Sequence, residues 1–428
     1  MNYDESLEYI HGIYWRGSKL GLERIRELLA LMGNPQKALK FVHVAGTNGK
    51  GSTCAMLASI FKCAGYRTGL YISPYITRFN ERIQYDGSPI SDGELAEITT
   101  YVIRFAESMK DKPTEFELVT AIGMEYYKRM KCDIVILETG LGGTLDSTNI
   151  IGTPEAAVIT AIDYDHTREL GNTMESIASA KAGIIKSGGD VVFYGGEKAA
   201  LDVIAKRCAE ESARLSVVDF DRLNVKNSSI DGSVFDWMPE SGSGIVMKDL
   251  KIPLAGTYQV YNAALVLTVI EVLSKKFRLP ESAIYEGLAS VKWPGRFELL
   301  RRDPVFIADG GHNPHGITGT LRSIEHHFPG KKIIAVIGVM ADKDIDSILD
   351  ILLPHVKCVY TVRPDNPRAM DPALLADKIN THKPVAIPCG APGDGVRAAY
   401  AEADKDDVIC ALGSFYMYAD IADAVRKL

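Results

Sequence analysis

The chain has 428 residues, 46% of them hydrophobic and 24% charged, which is enough for two or three cores and excludes a disordered or fibrous protein. Its formal net charge of -7 offers no basic field for nucleic acid, so an anionic substrate has to be held by local positive groups. The seven cysteines show no metal-site or redox spacing and read as reduced thiols of a cytoplasmic protein.

Met1-Asn2-Tyr3-Asp4-Glu5 lacks the basic start and apolar core of a signal peptide. Residues 3–32 predict helix, with Leu20, Leu22, Ile25, Leu28, Leu29 and Met32 near a 3.6-residue spacing. Phe41 to Val44 predicts a buried strand and Thr53 to Ala64 a helix. Between them lies Gly46-Thr47-Asn48-Gly49-Lys50-Gly51-Ser52. A glycine-rich turn from strand to helix, ending in a lysine and a hydroxyl, is a phosphate cradle. Its N–H groups point inward and the helix adds partial positive charge; Lys50 reaches the outer phosphates and Ser52 can touch Mg2+. Gly51 separates the lysine from the hydroxyl, unlike the usual spacing.

A second strand is expected from Tyr66 to Ile72, followed by Ser73-Pro74 and a polar, irregular stretch at 75–90. Helices are expected near 92–110 and 115–130. A third strand runs from Cys132 to Leu137, ending at Glu138 before the flexible loop 139–147. A fourth runs from Ala156 to Ile162, ending at Asp165-His166. A helix from Thr173 to Ile185 carries Lys181. From 187 to 252, short apolar runs alternate with Gly, Ser and Asp clusters; this reads as a β-rich flank of the first domain, with a hairpin turn at 228–233. The uncharged run Ile252 to Ile270 holds Pro253, Gly256, Thr257, Gln259 and Asn262, too polar for a membrane span, and its second half predicts a buried helix. Trp293-Pro294-Gly295-Arg296-Phe297 has linker chemistry, giving domains 1–295 and 296–428. Beyond it, strands at 304–308, 333–339, 358–362, 384–387 and 407–412 alternate with helices. The fold class is therefore α/β, with a parallel sheet in each half.

Ser52, Ser73, Glu138 and His166 each follow a different strand of the first half. In a parallel sheet all carboxyl ends share one edge, where such folds bind ligands. Oxygen ligands with one imidazole suit Mg2+ beside phosphates. In the second half, Asp309 follows the first strand and Gly413-Ser414 the last, and two facing edges would form an interdomain cleft. Taken singly, these residues have plain readings as well. Glu138 can cap a turn, His166 can be structural, Lys181 can be a solvated surface charge, Arg296 an ion-pair partner and Asn262 a core amide.

Assembled, the chain resembles the folylpolyglutamate synthase / dihydrofolate synthase family of the Mur ligase superfamily. The stretches that carry the resemblance run nearly end to end. They are Gly21 to Ile25 with His43 to Ser52; Ser73-Pro74 with Glu81-Arg82-Ile83; Thr114 to Glu117; Glu138 to Gly143 through Asp146 and Thr148-Asn149; Asp165-His166; Lys181 to Lys186; Gln259 with Asn262-Ala263-Ala264; Pro294 to Glu298; Asp309 with His312-Asn313-Pro314; Asp342-Lys343-Asp344; and Gly413 to Tyr416. The resemblance implies a P-loop, Mur-ligase-like ATPase domain followed by a smaller Rossmann-like domain.

It implies ATP binding by Asn48, Gly49, Lys50, Gly51, Ser52, Asn262, Arg296 and Asp309. Ser52, Ser73, Glu138 and His166 would hold Mg2+ at two sites, helped by a carbamylated Lys181; Lys50, Lys181 and His166 would serve catalysis. Thr114, Phe116, Glu117, Leu145, Asp146 and Ser147 would contact the pterin substrate, and His312 and Ser414 the incoming L-glutamate. The implied reaction passes the γ-phosphate of ATP to the carboxylate of dihydropteroate or a reduced folate, and glutamate displaces it. The implied enzyme is a monomer with small-molecule partners only, neither nucleic acid nor membrane. Three positions depart from the common pattern: Thr144 where the family has Arg, Ala180 where it has Glu before the modified lysine, and Tyr258 where it often has His.

Two other readings compete. Another Mur-type ligase, acting on a nucleotide-linked peptidoglycan precursor, would carry a further domain before the P-loop, whereas 45 residues precede Gly46. A P-loop switch controlling a partner would not need a second α/β domain with its own polar edge.

Overall fold

The structure is a computed structural model that describes residues 1–13, 21–239 and 246–428. The chain divides into two compact units, one of residues 1–223 with 261–291 and the other of residues 224–260 with 292–428.

The first unit is built on eight strands: β1 (Phe41–Ala45), β2 (Thr68–Tyr71), β3 (Ile83–Tyr85), β4 (Ser88–Pro89), β5 (Ile134–Glu138), β6 (Ala156–Ile159), β7 (Asp190–Phe193) and β8 (Arg214–Val217). They lie in the order β4-β3-β2-β5-β1-β6-β7-β8. All pairs from β2 to β8 are parallel, and β3 and β4 turn back antiparallel at one edge. The central strands are buried throughout and apolar except for His43 in β1 and Glu138 at the end of β5, as expected of strands covered on both faces. One core cluster gathers Tyr71, Val135 and Leu137 with the helices Glu23–Leu31, Asp92–Ala106 and Glu115–Arg129. Another gathers Ala45, Ala157, Ile159, Val191 and Phe193 with the helices Met174–Ala182 and Lys198–Glu210. The P-loop helix, Lys50–Cys63, packs on the helix Glu281–Ser290 so closely that a Cβ at Gly287 would lie 2.6 Å from Ile60 Cα.

Three elements differ from expectation. The single helix over 3–32 is two helices, Tyr3–Gly12 and Glu23–Leu31; Leu20 and the rest of 14–20 lie outside the described residues. The stretch 75–90 contains a 3-10 turn and the β3–β4 pair. The region 187–252 separates in two. Its first part, β7, a helix and β8, extends the main parallel sheet. Its second part forms an antiparallel sheet of β9 (Leu223–Ser229), β10 (Gly232–Trp237) and β11 (Met247–Ile252), which groups with the second unit from Asn224 onward.

The second unit's main sheet comprises β12 (Glu298–Arg302), β13 (Val305–Ala308), β14 (Ile333–Ile337), β15 (Val356–Thr361), β16 (Ala386–Pro388) and β17 (Val408–Leu412), in the order β12-β13-β17-β14-β15-β16. Only β12 is antiparallel, and it was not expected from sequence. In β14 the period of two is visible directly. Ile333, Ala335 and Ile337 enter one core cluster, and Ile334 and Val336 another.

Candidate active site

β1 feeds the chain into the P-loop. At Gly46 the backbone passes so close to the segment leaving β6 that a Cβ would sit 1.8 Å from Thr160 Oγ1. The Thr47 and Asn48 amides donate to the Ala161 carbonyl at 2.9 and 3.3 Å. Gly49, with φ of 88°, starts the helix Lys50–Cys63 and offers no capping side chain. A phosphate at such a helix N-terminus meets N–H groups and the positive end of the dipole. A Cβ on Gly49 would lie 2.6 Å from Asn262 Oδ1, so the first turn of the helix Gln259–Leu273 abuts the loop.

Two lysines converge on one carbonyl. Lys50 Nζ donates to the Gly46 and Thr47 carbonyls, both at 3.1 Å, and Lys181 Nζ donates to Gly46 at 2.8 Å. Lys181 is 3% exposed, which removes the surface-charge reading. Burial, aided by the charge of Lys50 and opposed by Asp165, lowers its pKa to about 7.

The parallel order β2-β5-β1-β6 brings the ends of four strands to one sheet edge. There the Ser73 amide donates to Glu138 Oε2 at 3.2 Å. Glu138 and Ser52 are both buried. His166, with φ of 51°, opens a short helix, and its amide donates to Asp165 Oδ1 at 2.8 Å. No three His, Cys, Asp or Glu side chains among the described residues gather tightly enough to cage a metal. One carboxylate with hydroxyls and an imidazole fits Mg2+, which keeps waters and leans on substrate phosphates, better than a closed zinc or calcium cage.

The loop after Glu138 is tethered from several sides. Asp146 accepts from the Leu141 amide at 2.7 Å, and from the Thr148 amide and hydroxyl at 3.0 and 2.5 Å. Asn149 Nδ2 donates to the Thr144 and Gly183 carbonyls at 3.1 and 3.0 Å. Thr144 donates through its amide and its hydroxyl to the Ala180 carbonyl, at 2.8 and 3.0 Å. Two of the three unusual positions are thus direct neighbours, beside the backbone of Lys181.

The expected pterin contacts fare differently. Phe116 is half-buried, with its ring on Gly140, where a Cβ would lie 2.5 Å from Cζ. Leu145 is 45% exposed. Ser147 is buried, its hydroxyl 2.8 Å from that of Thr120, which in turn is 3.1 Å from Tyr71. Thr114 and Glu117 are buried in a capping box, and Glu117 Oε2 also accepts from Arg24 Nε at 3.0 Å. The partners they show are one another and Arg24.

In the second unit the edge residues also gather. Asp309 receives four donors: Tyr258 Oη at 2.9 Å, the Phe297 amide at 2.7 Å, the Gly311 amide at 2.6 Å and Thr320 Oγ1 at 2.9 Å. Tyr258, the third unusual position, is therefore matched to a buried carboxylate. Arg296 lies 4.1 Å from the Phe415 ring centroid, and its Nε is buried without a hydrogen-bond partner among the described residues. His312 meets the same ring edge-on at 6.0 Å and places Nδ1 2.8 Å from the Gly310 carbonyl. Ser414 caps the turn Phe415–Met417. Two contributors, Asp165 and Phe415, stood within recognised stretches without an assigned role; the carboxylate beside His166 was the only signal for the first.

Comparison with known proteins decides the family. The Mur ligase middle domain matches residues 44–270, and the Mur ligase glutamate ligase domain matches 295–415. A folylpolyglutamate synthase of Lacticaseibacillus casei is 37% identical over 382 residues, covering 87% of this chain and 88% of that one. A dihydrofolate synthase/folylpolyglutamate synthase of Bacillus subtilis is 34% identical over 438 residues, covering 99% of both. The chain belongs to the folylpolyglutamate synthase family of Mur ligases. Its fold is that of the family as well. An E. coli FolC structure in complex with DHPP and ADP superposes with a TM-score of 0.88 at 30% identity, covering 100% of this chain and 98% of that one. This folylpolyglutamate synthase family member is an ATP-dependent ligase that joins L-glutamate to a folate-type carboxylate. No helix among its described residues is long and apolar enough to cross a membrane.

Proposed function

We propose that the P-loop edge of the first unit activates the free carboxylate of dihydropteroate or a reduced folate, and that the second unit supplies L-glutamate. The observation that carries this reading is the pair of lysines on the Gly46 carbonyl, at the sheet edge that also holds Ser52, Ser73, Glu138 and His166.

A carboxylate is a poor electrophile because its charge repels nucleophiles. Transfer of the γ-phosphoryl group replaces O⁻ with a leaving group, and ATP becomes ADP. The α-amine of glutamate then attacks the acyl carbon, and collapse of the tetrahedral adduct releases phosphate and leaves an amide. The amides from Gly49 to Ser52 cradle the phosphates, while Asn48 and Asn262 border the cradle. Lys50 swings from its two loop carbonyls to the outer phosphates and screens the approach of two anions. Arg296, preset on Phe415, adds a second positive charge for ATP, and Asp309 holds its backbone neighbour Phe297 in place. His312 and Ser414 take the glutamate. Phe116 and Leu145 flank the pterin, and Asp146 and Ser147 shape the loop beneath it. Holding the reactants in orientation supplies roughly 7 to 11 kcal/mol of the barrier reduction.

Mg2+, when bound through Ser52, Ser73, Glu138 and His166, neutralises charge on the transferring phosphoryl group. Lys181 adds CO2 to its amine as a carbamate with loss of a proton, turning a buried cation into an anionic ligand. A pKa of about 7 makes the reactive neutral amine abundant. The enzyme works in the cytoplasm as a monomer.

The test is ADP release on addition of L-glutamate, with dihydropteroate and with reduced folates in parallel. Turnover with dihydropteroate assigns addition of the first glutamate, and turnover with reduced folates assigns addition of later ones. ADP release that ignores glutamate, or no release with either substrate, refutes the proposal.

A further inference from the structure

His43 takes no part in the chemistry above, yet it sits in β1 only three residues before Gly46. It is fully buried, and its Nε2 lies 2.8 Å from Thr148 Oγ1. Its Nδ1 is buried with no hydrogen-bond partner among the described residues. Thr148 is also fully buried, and its hydroxyl lies 2.5 Å from Asp146 Oδ1.

These contacts set the direction of the chain. A threonine hydroxyl has one proton to give. Asp146 already accepts from the Thr148 and Leu141 amides, which require lone pairs on a carboxylate. The Thr148 proton therefore goes to Asp146, and the contact from His43 has to be an Nε2–H donating to Thr148. The ring is then neutral with a bare Nδ1. A second N–H at that atom would be a buried donor without an acceptor, the costlier of the two orphans.

We propose that His43 is a positioning residue for the pteroyl-binding loop, acting through the buried chain His43 to Thr148 to Asp146. Asp146 turns its second oxygen onto the Leu141 amide and so fixes the start of that loop. The other end is fixed independently, at Thr144 by Ala180 and Asn149. β1 thus carries two devices. Its carboxyl end leads into the phosphate cradle, and its middle residue sets the loop that meets the acceptor substrate. The proposal rests on the reading that residues 139–147 border the pterin.

The experiment compares H43L, H43Q and T148V with the unaltered enzyme. Gln presents an N–H where Nε2 stands, whereas Leu presents none. H43L and T148V each raise the KM for the pteroyl substrate roughly five- to tenfold, the equivalent of one buried hydrogen bond, and leave the KM for ATP unchanged. H43Q restores the substrate KM. The double variant H43L/T148V is no worse than T148V, because both changes cut the same chain. Equal substrate KM in H43L and the unaltered enzyme overturns the proposal. So does a parallel rise in the KM for ATP, which would mark general damage to β1. Nitrogen-15 NMR of histidine-labelled protein, with His43 assigned from the H43Q spectrum, reads the tautomer without any activity. A protonated Nδ1 overturns the proposal even if the ligase reading stands, and an Nε2–H tautomer in a protein without glutamate-dependent turnover places the failure in the ligase reading.

Discussion

Acid should destabilise this protein through His43, and the size of the effect can be worked from its surroundings. Burial, with a smaller contribution from the charge of Lys186, lowers the pKa of His43 from its ordinary 6.5 to about 3. Above 6.5 the ring is neutral in both folded and unfolded chains and contributes nothing that depends on pH. Below 6.5 the unfolded chain takes up a proton that the folded chain refuses until about pH 3, so stability falls across that window. Between about pH 7.5 and about pH 5, one such proton costs about 2 kcal/mol. H43L removes the group and its proton. Its loss of the Thr148 hydrogen bond is a constant offset, identical at both pH values. Urea titrations followed by circular dichroism at the two pH values, on H43L and the unaltered chain, isolate the histidine as a double difference. The unaltered chain should lose about 2 kcal/mol more than H43L on acidification. Equal losses would refute a neutral, buried His43.

Further outcomes follow from the same geometry. Lys50→Ala should lower kcat by about 10²-fold or more with circular dichroism unchanged, since it deletes a charge aimed at the transferring phosphate. Lys181→Ala should be inactive and partly rescued by small carboxylates that occupy the vacated anionic position; intact mass of the active, unaltered enzyme should show CO2 on one lysine. Gly46→Ala forces a Cβ to 1.8 Å from Thr160 Oγ1, so binding of a fluorescent ATP analogue should be lost even where the chain folds. Arg24→Met leaves the carboxylate of Glu117 buried beside Thr114 without its cation and should cost about 3 to 5 kcal/mol in urea unfolding, the expected penalty for a broken buried pair.

Much of the placement of the candidate site was legible in the sequence, for reasons particular to each stretch. β5 is an apolar run that ends at Glu138, and β1 is apolar but for His43 and leads into Gly46; such runs belong at the centre of a parallel sheet. Gly46 and Gly49 of the P-loop, with φ of 152° and 88°, mark a backbone that favours glycine. Other elements were hidden. β3 and β4 are only three and two residues long; β3 forms because β2 offers it an edge, and β4 pairs in turn with β3. β7 and β8 look like the strands of any β-rich flank; β7 pairs in parallel with β6, and β8 pairs in parallel with β7 through the crossover helix Lys198–Glu210. Thr114 and Glu117 match a substrate-binding stretch, and the contacts they make are those of a helix start and of a buried ion pair with Arg24.

The order of strands, loops and helices, and the chemical types gathered after each strand, were determined by the amino-acid sequence, because apolar periodicity and glycine geometry act over a few residues. Which side chains are buried, and therefore what their chemistry is, was decided only by tertiary structure. Lys181 became a poor ammonium ion because packing placed it beside Lys50 away from water. Asp309 became a junction of four donors because β13, the linker and Tyr258 meet there. His43 became a neutral donor because Thr148, 105 residues away, arrives at its Nε2. Desolvation and hydrogen-bond direction are properties of surroundings, and those surroundings are assembled from residues far apart in the chain.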